Sequence, residues 1–499
     1  MGTGNSMFYG ALLLTGANLL LRLAGMGFQV YLSGQIGPAG IGLLHLVFSV
    51  RALAFTLGLG GVRTAALYLT AGRKGVRSIL RGCFQYSLAC SLTAAAGLWL
   101  LAPKLSAGWN GDGLEALRAC AAFLPVSCLC GVLSGHFTAA GRIRTLVAVE
   151  FLEQGCAIAA TVFLLAGGVE GVLSVVLGGS LAAAAAFCAL LRLCRLPPEP
   201  DAGTPYRRIL CMALPLGVSE SLRAGLNTVE NLIVPQRLAL YAGTVSAIAD
   251  YGVICGMVFP ILMFPTAILF SLAELLVPEL SRCVPGGPRP PYLAKRGLRV
   301  SLLFGLWASG FLFAAAGPLG EILYHSEAVG ASLRLYAPLV PVLYMDAIVD
   351  AMCKGLGQQS ANARYNLITS LLDVVILWVF LPRCGLGGYY FSFAVTHLLN
   401  FALSLRRLVR TANASLSPGI TVRAAGAAAA VSWISGMLPT WKTPLGGAAF
   451  AGYYTLLLSC FWTALHVVDR EDLMWLLRLA GKPPVRTRAR SAGRAGRSK

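Results

Sequence analysis

The chain has 499 residues, of which 57% are hydrophobic and only 12% charged, with a net charge of +20. An ordinary soluble domain is close to one quarter charged, so this inventory cannot cover a water-exposed surface, and lipid must be the main solvent. The forty Lys and Arg residues fall in short segments between apolar runs, which excludes a nucleic-acid-binding face, and fourteen cysteines without ligand spacing argue against a metal site or a disulfide framework.

A hydrocarbon core of ~30 Å needs about 20 apolar residues per helix, and only helices or closed barrels satisfy the backbone there. Apolar runs of that length, rather than ten-residue alternations, predict an all-α polytopic membrane protein. No cleavable signal precedes the first run, since Met1 to Ser6 carries no basic residue. The same six residues match a myristoylation pattern, read as chance in a chain already held by many helices. About fourteen spans are expected, at 7–32, 41–69, 82–103, 117–140, 145–166, 171–191, 208–232, 247–278, 299–318, 331–353, 364–382, 386–405, 419–438 and 445–467. The least distinct separation is between the fifth and sixth, where Ala166 to Gly171 must make the turn.

Orientation follows from the basic residues. With the N-terminus inside, inner loops and the tail hold thirty Lys and Arg and outer loops hold six: Lys104, Arg118, Arg237, Arg334, Arg383 and Lys442. The even count returns the tail to the cytoplasm and places the sequon Asn413-Ala414-Ser415 inside. The tail beyond Pro483-Pro484 is polar and basic, with Arg486, Arg488, Arg490, Arg494, Arg497 and Lys499, and suits anionic lipid headgroups. Outer loops are short, and nothing resembles a phosphate-binding loop or a nucleophile elbow, so a primary pump is not expected.

Charges at membrane depth are expensive and mark candidate sites. Arg22, Arg51, Arg63 and Arg223 are the four basic ones. At ~1.5 Å per residue, Arg22 and Arg223 lie about 22 Å into the first and seventh spans, and Arg51 about 15 Å into the second. Arg63 is near a helix end and reads as snorkelling. Glu150, Glu153, Glu220, Glu230, Asp346 and Asp350 are candidate coupling or ion-pair carboxylates, with Asp250, Glu274 and Asp373 also within or beside spans. Glu220 can pair with Arg223 and Asp350 with Lys354 by helical spacing. The alternative is that one member of each pair titrates or holds H⁺ or Na⁺.

Hinge or packing candidates are Gly58, Gly60 and Gly61 in the second span and Pro260 and Pro265 in the eighth, beside Pro278. Arg22 and Arg223 sit at matching depth in the first helix of each half, and both halves continue into a long broken second helix. Six helices per half means both enter from the same side, a parallel repeat. The expected division is 1–195 and 196–410 as two six-helix lobes, 411–470 as two extra spans, and 471–499 as the basic tail.

The segments Gly10-Ala-Leu-Leu-Leu-Thr-Gly and Ile36-Gly-Pro-Ala-Gly-Ile-Gly-Leu43 open an ordered set of matches. Met212-Ala-Leu-Pro-Leu216, Glu230-Asn-Leu-Ile-Val-Pro-Gln-Arg-Leu238, Gly256-Met-Val-Phe-Pro260 with Phe264-Pro-Thr266, and Gly355-Leu-Gly-Gln-Gln359 continue it. Together they resemble the stage V sporulation protein B family of oligosaccharide flippases. That family belongs to the multidrug/oligosaccharidyl-lipid/polysaccharide exporter superfamily, with the MurJ-type flippases and the MATE antiporters. The resemblance implies two lobes around a cavity and alternating access in a bacterial plasma membrane. It also implies a lipid-linked saccharide pyrophosphate as substrate, no cofactor and a monomer.

Arginine forks match phosphate bidentately, which gives Arg22, Arg51 and Arg223 a role as substrate-binding residues for the pyrophosphate. The eighth span, however, has no Lys or Arg, and the loop Gly34 to Gly40 has no acidic residue, both unlike MurJ-type proteins. A lipid-linked glycan is therefore expected without specifying lipid II. A MATE-type cation-coupled drug or metabolite antiporter is the alternative, and a membrane glycan polymerase or ligase, disfavoured by the short outer loops, the third reading.

Overall fold

The computed structural model describes residues 3–71, 75–109, 111–194, 206–284, 287–414, 417–438, 441 and 443–468, and within them the side chains of all but residues 3–15, 18 and 444. Met1, Gly2, Ser415 of the sequon and the basic tail lie outside these residues.

Helix follows helix along the described chain. The first, α1 (Thr3–Leu59), is one rod broken at Gly37, where φ is 68° and ψ 177°, with Pro38 next. Pro38 has no N–H and crowds the preceding turn, while Gly37 takes a positive φ that a Cβ would oppose. The expected loop at 34–40 thus contracts to one residue between two arms, 3–36 and 38–59. After the Gly60-Gly61 turn come α2 (Val62–Thr70), α3 (Val76–Ala107), α4 (Leu114–Ala139), α5 (Ile143–Ala166) and α6 (Gly171–Leu193). The turn expected between Ala166 and Gly171 is where it falls.

The second half begins with α7 (Tyr206–Ala242), which runs through Pro235 and stops only at Gly243. Then follow α8 (Thr244–Tyr251), a π-helical segment (Gly252–Val258), α9 (Phe259–Met263) and α10 (Thr266–Ser281). The remaining helices are α11 (Arg289–Ala314), α12 (Ala316–Tyr324), α13 (Glu327–Tyr336), α14 (Val340–Gly355), α15 (Gln359–Cys384), α16 (Leu386–Ala412), α17 (Pro418–Gly436) and α18 (Pro444–Ala464).

Among the described residues eleven helices are long and apolar enough to cross a membrane, so the expected count of fourteen is not confirmed. One of the eleven, Leu19–Leu59, contains both arms of α1. Neither α16 nor α17 is among them. Thr396, His397 and Asn400 lower the hydropathy of α16, and α17 is an alanine-rich helix carrying Arg423.

Helices α3 to α6 pack on one another and on α1. A second lobe is built by α7, α10, α11, α14, α15 and α16, with α17 and α18 against α11. The seam between lobes is made by close backbone approach. A Cβ on Gly42 would strike the Ile248 carbonyl, one on Gly252 the Pro38 carbonyl, and one on Gly256 the Ile41 side chain. Near the other end, Gly61 meets the Ala213 carbonyl, and Gly217 meets the backbone of Gly60. Without a hydrophobic drive between helices in lipid, such small-residue contacts supply the packing.

The eighth span carries the expected proline breaks. Pro260 cannot donate to the carbonyl four residues earlier, Gly256, and Gln29 Nε2 on the first arm of α1 donates to that oxygen at 3.1 Å. At the second break, Tyr344 Oη donates to the Leu262 carbonyl at 2.6 Å. Removing the first of these leaves a carbonyl open where no water reaches. Gln29→Leu is therefore expected to destabilise the protein by about 1–3 kcal/mol, read as a lower thermal midpoint in detergent. An unchanged midpoint would mean the Gly256 carbonyl has another donor.

Candidate functional site

The first arm of α1 faces α10 and α14 across a cavity of about 930 Å³ whose polar lining is Arg22, Ser271, Glu274, Asp350 and Lys354. The rest of its wall is Phe270 and aliphatic side chains such as Leu19, Ile268 and Val277. The Arg22 guanidinium stands 5.0 Å from the centroid of the Phe270 ring. Stacking on a ring balances the charge electrostatically and uses none of the N–H donors. Lys354 Nζ lies 2.6 Å from Asp350 Oδ2, the i,i+4 pair expected from spacing. The other Asp350 oxygen accepts from Asn362 Nδ2 at 3.1 Å. The cavity thus combines a guanidinium on an aromatic face, an ammonium held by one carboxylate, the further carboxylate Glu274 and apolar wall, so Arg22 is the cation best placed to meet an anionic head.

The other charges expected to act with Arg22 are elsewhere. Arg51 is half-buried in the first lobe. Its guanidinium is 5.9 Å from the Phe48 ring, and its Nη1 lies 3.6 Å from where a Cβ on Gly179 would stand. Glu153 on α5 is within its electrostatic reach, as Glu150 is within that of Arg63. Arg51 and Glu153 are half-buried in the first lobe, while Arg63 and Glu150 are exposed at its surface. Arg223 and Glu220 are exposed on α7, one turn apart. Neither Arg51 nor Arg223 lines the cavity that holds Arg22.

A second polar centre joins α7, α15 and α16. Glu230 and Asp373 lie close enough for each carboxyl to act on the other. Asp373, 8% exposed, also accepts at Oδ1 from Ser392 Oγ at 2.5 Å and Thr396 Oγ1 at 3.2 Å. Two like charges brought this close repel unless a positive charge lies between them. Beside them, Asn231 donates to Ser49 Oγ at 3.0 Å and accepts from Tyr251 Oη at 3.1 Å, tying the centre to the second arm of α1. Sequence reading named Asp373 but gave it no partner. The signal it passed over is the stripe Ser392, Thr396, Asn400 and Ser404, a polar residue every fourth position along one face of α16. Asp346, on α14, accepts from Asn400 Nδ2 at 3.1 Å and so joins the same stripe.

At the opposite end of α1's first arm, a cavity of about 840 Å³ is lined by Tyr31, Gln35, Asp112 and Glu170 among apolar groups. Burial, with Asp112 and Glu115 nearby, pushes the Glu170 carboxyl up from its ordinary value. The lining of the cavity with Arg22 is formally neutral, two cations against Glu274 and Asp350, whereas this one carries two carboxylates and no cation. Of the hinge candidates, Gly60 and Gly61 have φ of 53° and 75° and make a turn, and Pro260 and Pro265 lie at the two breaks of the eighth span. Gly58 packs against Cys128 and Ser91.

Asp373→Asn keeps an acceptor for both hydroxyls and gains an amide donor toward Glu230, whereas Asp373→Leu removes every polar contact at once. The leucine variant is expected to melt lower by about 1–3 kcal/mol and the asparagine variant near wild type, measured by thermal unfolding in detergent. Equal midpoints for the two variants would show that the hydrogen bonds to Asp373 do not hold these helices.

No family model matches the chain. It is 25% identical over 411 residues to stage V sporulation protein B of Bacillus subtilis (strain 168), covering 76% of this chain and 78% of that protein. Among solved structures, the lipid II flippase MurJ in an inward closed conformation superposes with a TM-score of 0.70 at 13% identity, over 91% of this chain and 99% of the other. An inward-facing MATE-family multidrug transporter of the MOP superfamily gives 0.64 at 16% identity, over 79% and 96%. The fold is that of the MurJ and MATE transporters.

Proposed function

We propose that this protein is a flippase that moves a lipid-linked saccharide pyrophosphate from the inner to the outer leaflet of a bacterial plasma membrane by alternating access. Similarity to stage V sporulation protein B along most of its length, and the fold shared with a lipid II flippase, support this reading. The observation that carries it is the cavity holding Arg22 and Lys354 over an apolar wall. It belongs to a transporter rather than to a membrane polymerase or ligase.

Both chain ends are assigned to the cytoplasm, because thirty basic residues then lie inside against six outside. The basic tail is assigned to anionic lipid. The working division is two lobes, 1–195 and 196–410, with 411–470 as two added spans.

In this orientation the cavity with Arg22 lies toward the cytoplasm and the acidic one with Asp112 and Glu170 toward the exterior. A pyrophosphate entering from the inner leaflet meets the Arg22 fork, and Lys354 exchanges its contact with Asp350 for a phosphate oxygen. The prenyl chain lies along Leu19, Ile268 and Val277. At the far end the seam is closed by the Gly42, Gly252 and Gly256 contacts, so release requires the lobes to rock. An exit lined by carboxylates repels the headgroup and favours its departure. Glu230 and Asp373 are assigned the coupling cation, H⁺ or Na⁺, because their shared site must lose or gain one positive charge when the helices around it move.

In vesicles carrying a fluorescent polyprenyl-pyrophosphate saccharide, Arg22→Ala is expected to lose one charge-assisted phosphate contact. That is about 1.5–3 kcal/mol, roughly a tenfold to hundredfold loss in apparent affinity, while Arg223→Ala transports like wild type. Undiminished lipid movement by Arg22→Ala would remove the cavity from the mechanism. Export of cationic dyes by vesicles that move no lipid would support the antiporter reading instead.

A further inference from the structure

Asp346 and Asn400 face each other across the contact between α14 and α16, and their hydrogen bonding is half complete. Asn400 Nδ2 donates to Asp346 Oδ2 at 3.1 Å. The remaining oxygen of each side chain, Asp346 Oδ1 and Asn400 Oδ1, is buried without a hydrogen-bond partner. Both orphaned atoms are acceptors if Asp346 is ionised, so neither can satisfy the other. An ionised carboxylate would then keep a bare oxygen at membrane depth, which costs several kcal/mol.

The charges around the pair offer no relief. On α14 itself the group that acts on Asp346 is Asp350, one turn away and of the same sign, and Lys354 is held by Asp350. On α16, His397 contacts the Phe393 carbonyl, and Arg407 donates to Gln358. On α15, Asn362 donates to Asp350. On α10, Glu274 is exposed on the cavity side. On α11, Lys295 is exposed, the Arg296 guanidinium stands 5.6 Å from the Tyr292 ring, and Arg299 donates to the Val467 carbonyl at 2.6 Å. Arg22 is over Phe270.

We infer that Asp346 carries a proton in this conformation, donated from Oδ1 to Asn400 Oδ1, so that acid and amide close a ring of two hydrogen bonds. One added proton then satisfies both orphaned oxygens and removes the repulsion with Asp350. The site is a proton-binding site of the second lobe, separate from the Glu230–Asp373 pair and one helical turn from the cavity wall. Ala347, Asp350, Ala351 and Lys354 of α14 line that wall, while Asp346 bonds to α16. Pulling α14 away from α16 would break both hydrogen bonds and expose the acid, which then releases its proton. The protonation does not depend on what the protein transports. Only the link to cargo, through Lys354 leaving Asp350, rests on the flippase reading.

Infrared difference spectroscopy of the full chain in lipid nanodiscs at neutral pH tests it without any substrate, read in an Asp373→Asn background that removes the other carboxyl pair. The expected result is a deuterium-sensitive protonated-carboxyl band that Asp346→Asn abolishes. Asn400→Leu should move that band to the higher frequency of an unpartnered acid. Asp346→Asn preserves two amide–amide hydrogen bonds and should melt near wild type. If Asp346→Asn leaves the protonated-carboxyl region unchanged, or if the band is absent in NaCl and appears only on sodium removal, the proton assignment is overturned.

Discussion

In hydrocarbon no water is at hand to take up a broken backbone hydrogen bond, and each interruption of a helix must find its donor in a neighbour. This constraint ties the interruptions of this bundle to its assembly. The Gly256 carbonyl, left by Pro260, is taken by Gln29 of the other lobe. The Gly60 carbonyl, at the turn ending α1, is taken by Tyr86 Oη at 3.2 Å, and Ser49 is held by Thr228 and Asn231 of α7. A break meant to bend a helix thereby becomes a bond to its neighbour, and three of these four bonds cross the seam between lobes.

The seam is uneven along its length. Toward the α8 end it is closed by glycine against backbone, where even a methyl group would collide at Gly42 or Gly252. Toward the α10 end the first arm of α1 is spread from α10 and α14 by a cavity with charged lining. Close glycine contact has no side chain to solvate and tolerates a dry interface. Arg22, Glu274, Asp350 and Lys354 in contrast need water or an ionic ligand around them. Near that end Gly61 and Gly217 still bring the second arm of α1 against α7, so the cavity opens beside the first arm and not along the whole seam.

The helical class, the proline breaks of the eighth span, the turn at Ala166 to Gly171 and the Asp350–Lys354 pair were all legible because each is a local property of composition or i,i+4 spacing. The number of crossings was not settled, for local reasons too. Gly37 turns the chain with one residue where a loop was expected, and α16 trades hydropathy for a polar stripe. The charged clusters were the least legible part. Helical spacing says that Arg51 is buried, but not that Glu153 of α5, rather than Arg22, is its neighbour. Glu230 and Asp373 are 143 positions apart, and only packing of α7 on α15 brings them together. Periodicity identifies the face of a helix, not the helix opposite.

The stripe on α16 shows what that missing information conceals. Ser392 and Thr396 bond to Asp373, and Asn400 to Asp346. Cys353 Sγ lies 4.0 Å from the Ser404 carbonyl. With a rise of ~1.5 Å per residue, Ser392 and Ser404 are about 18 Å apart, so one buried face of α16 touches the carboxyl pair at one end and the cavity-lining helix α14 at the other. Each contact needs a protonated or hydroxylic partner at a fixed height. A slide of α14 along α16 by less than one turn would misplace Asp346 from Asn400 without another amide to receive it, because the next stripe positions hold hydroxyls. The α14–α16 contact is thus discrete rather than continuously adjustable, and a rigid second lobe with one polar latch follows from the four-residue spacing of its side chains.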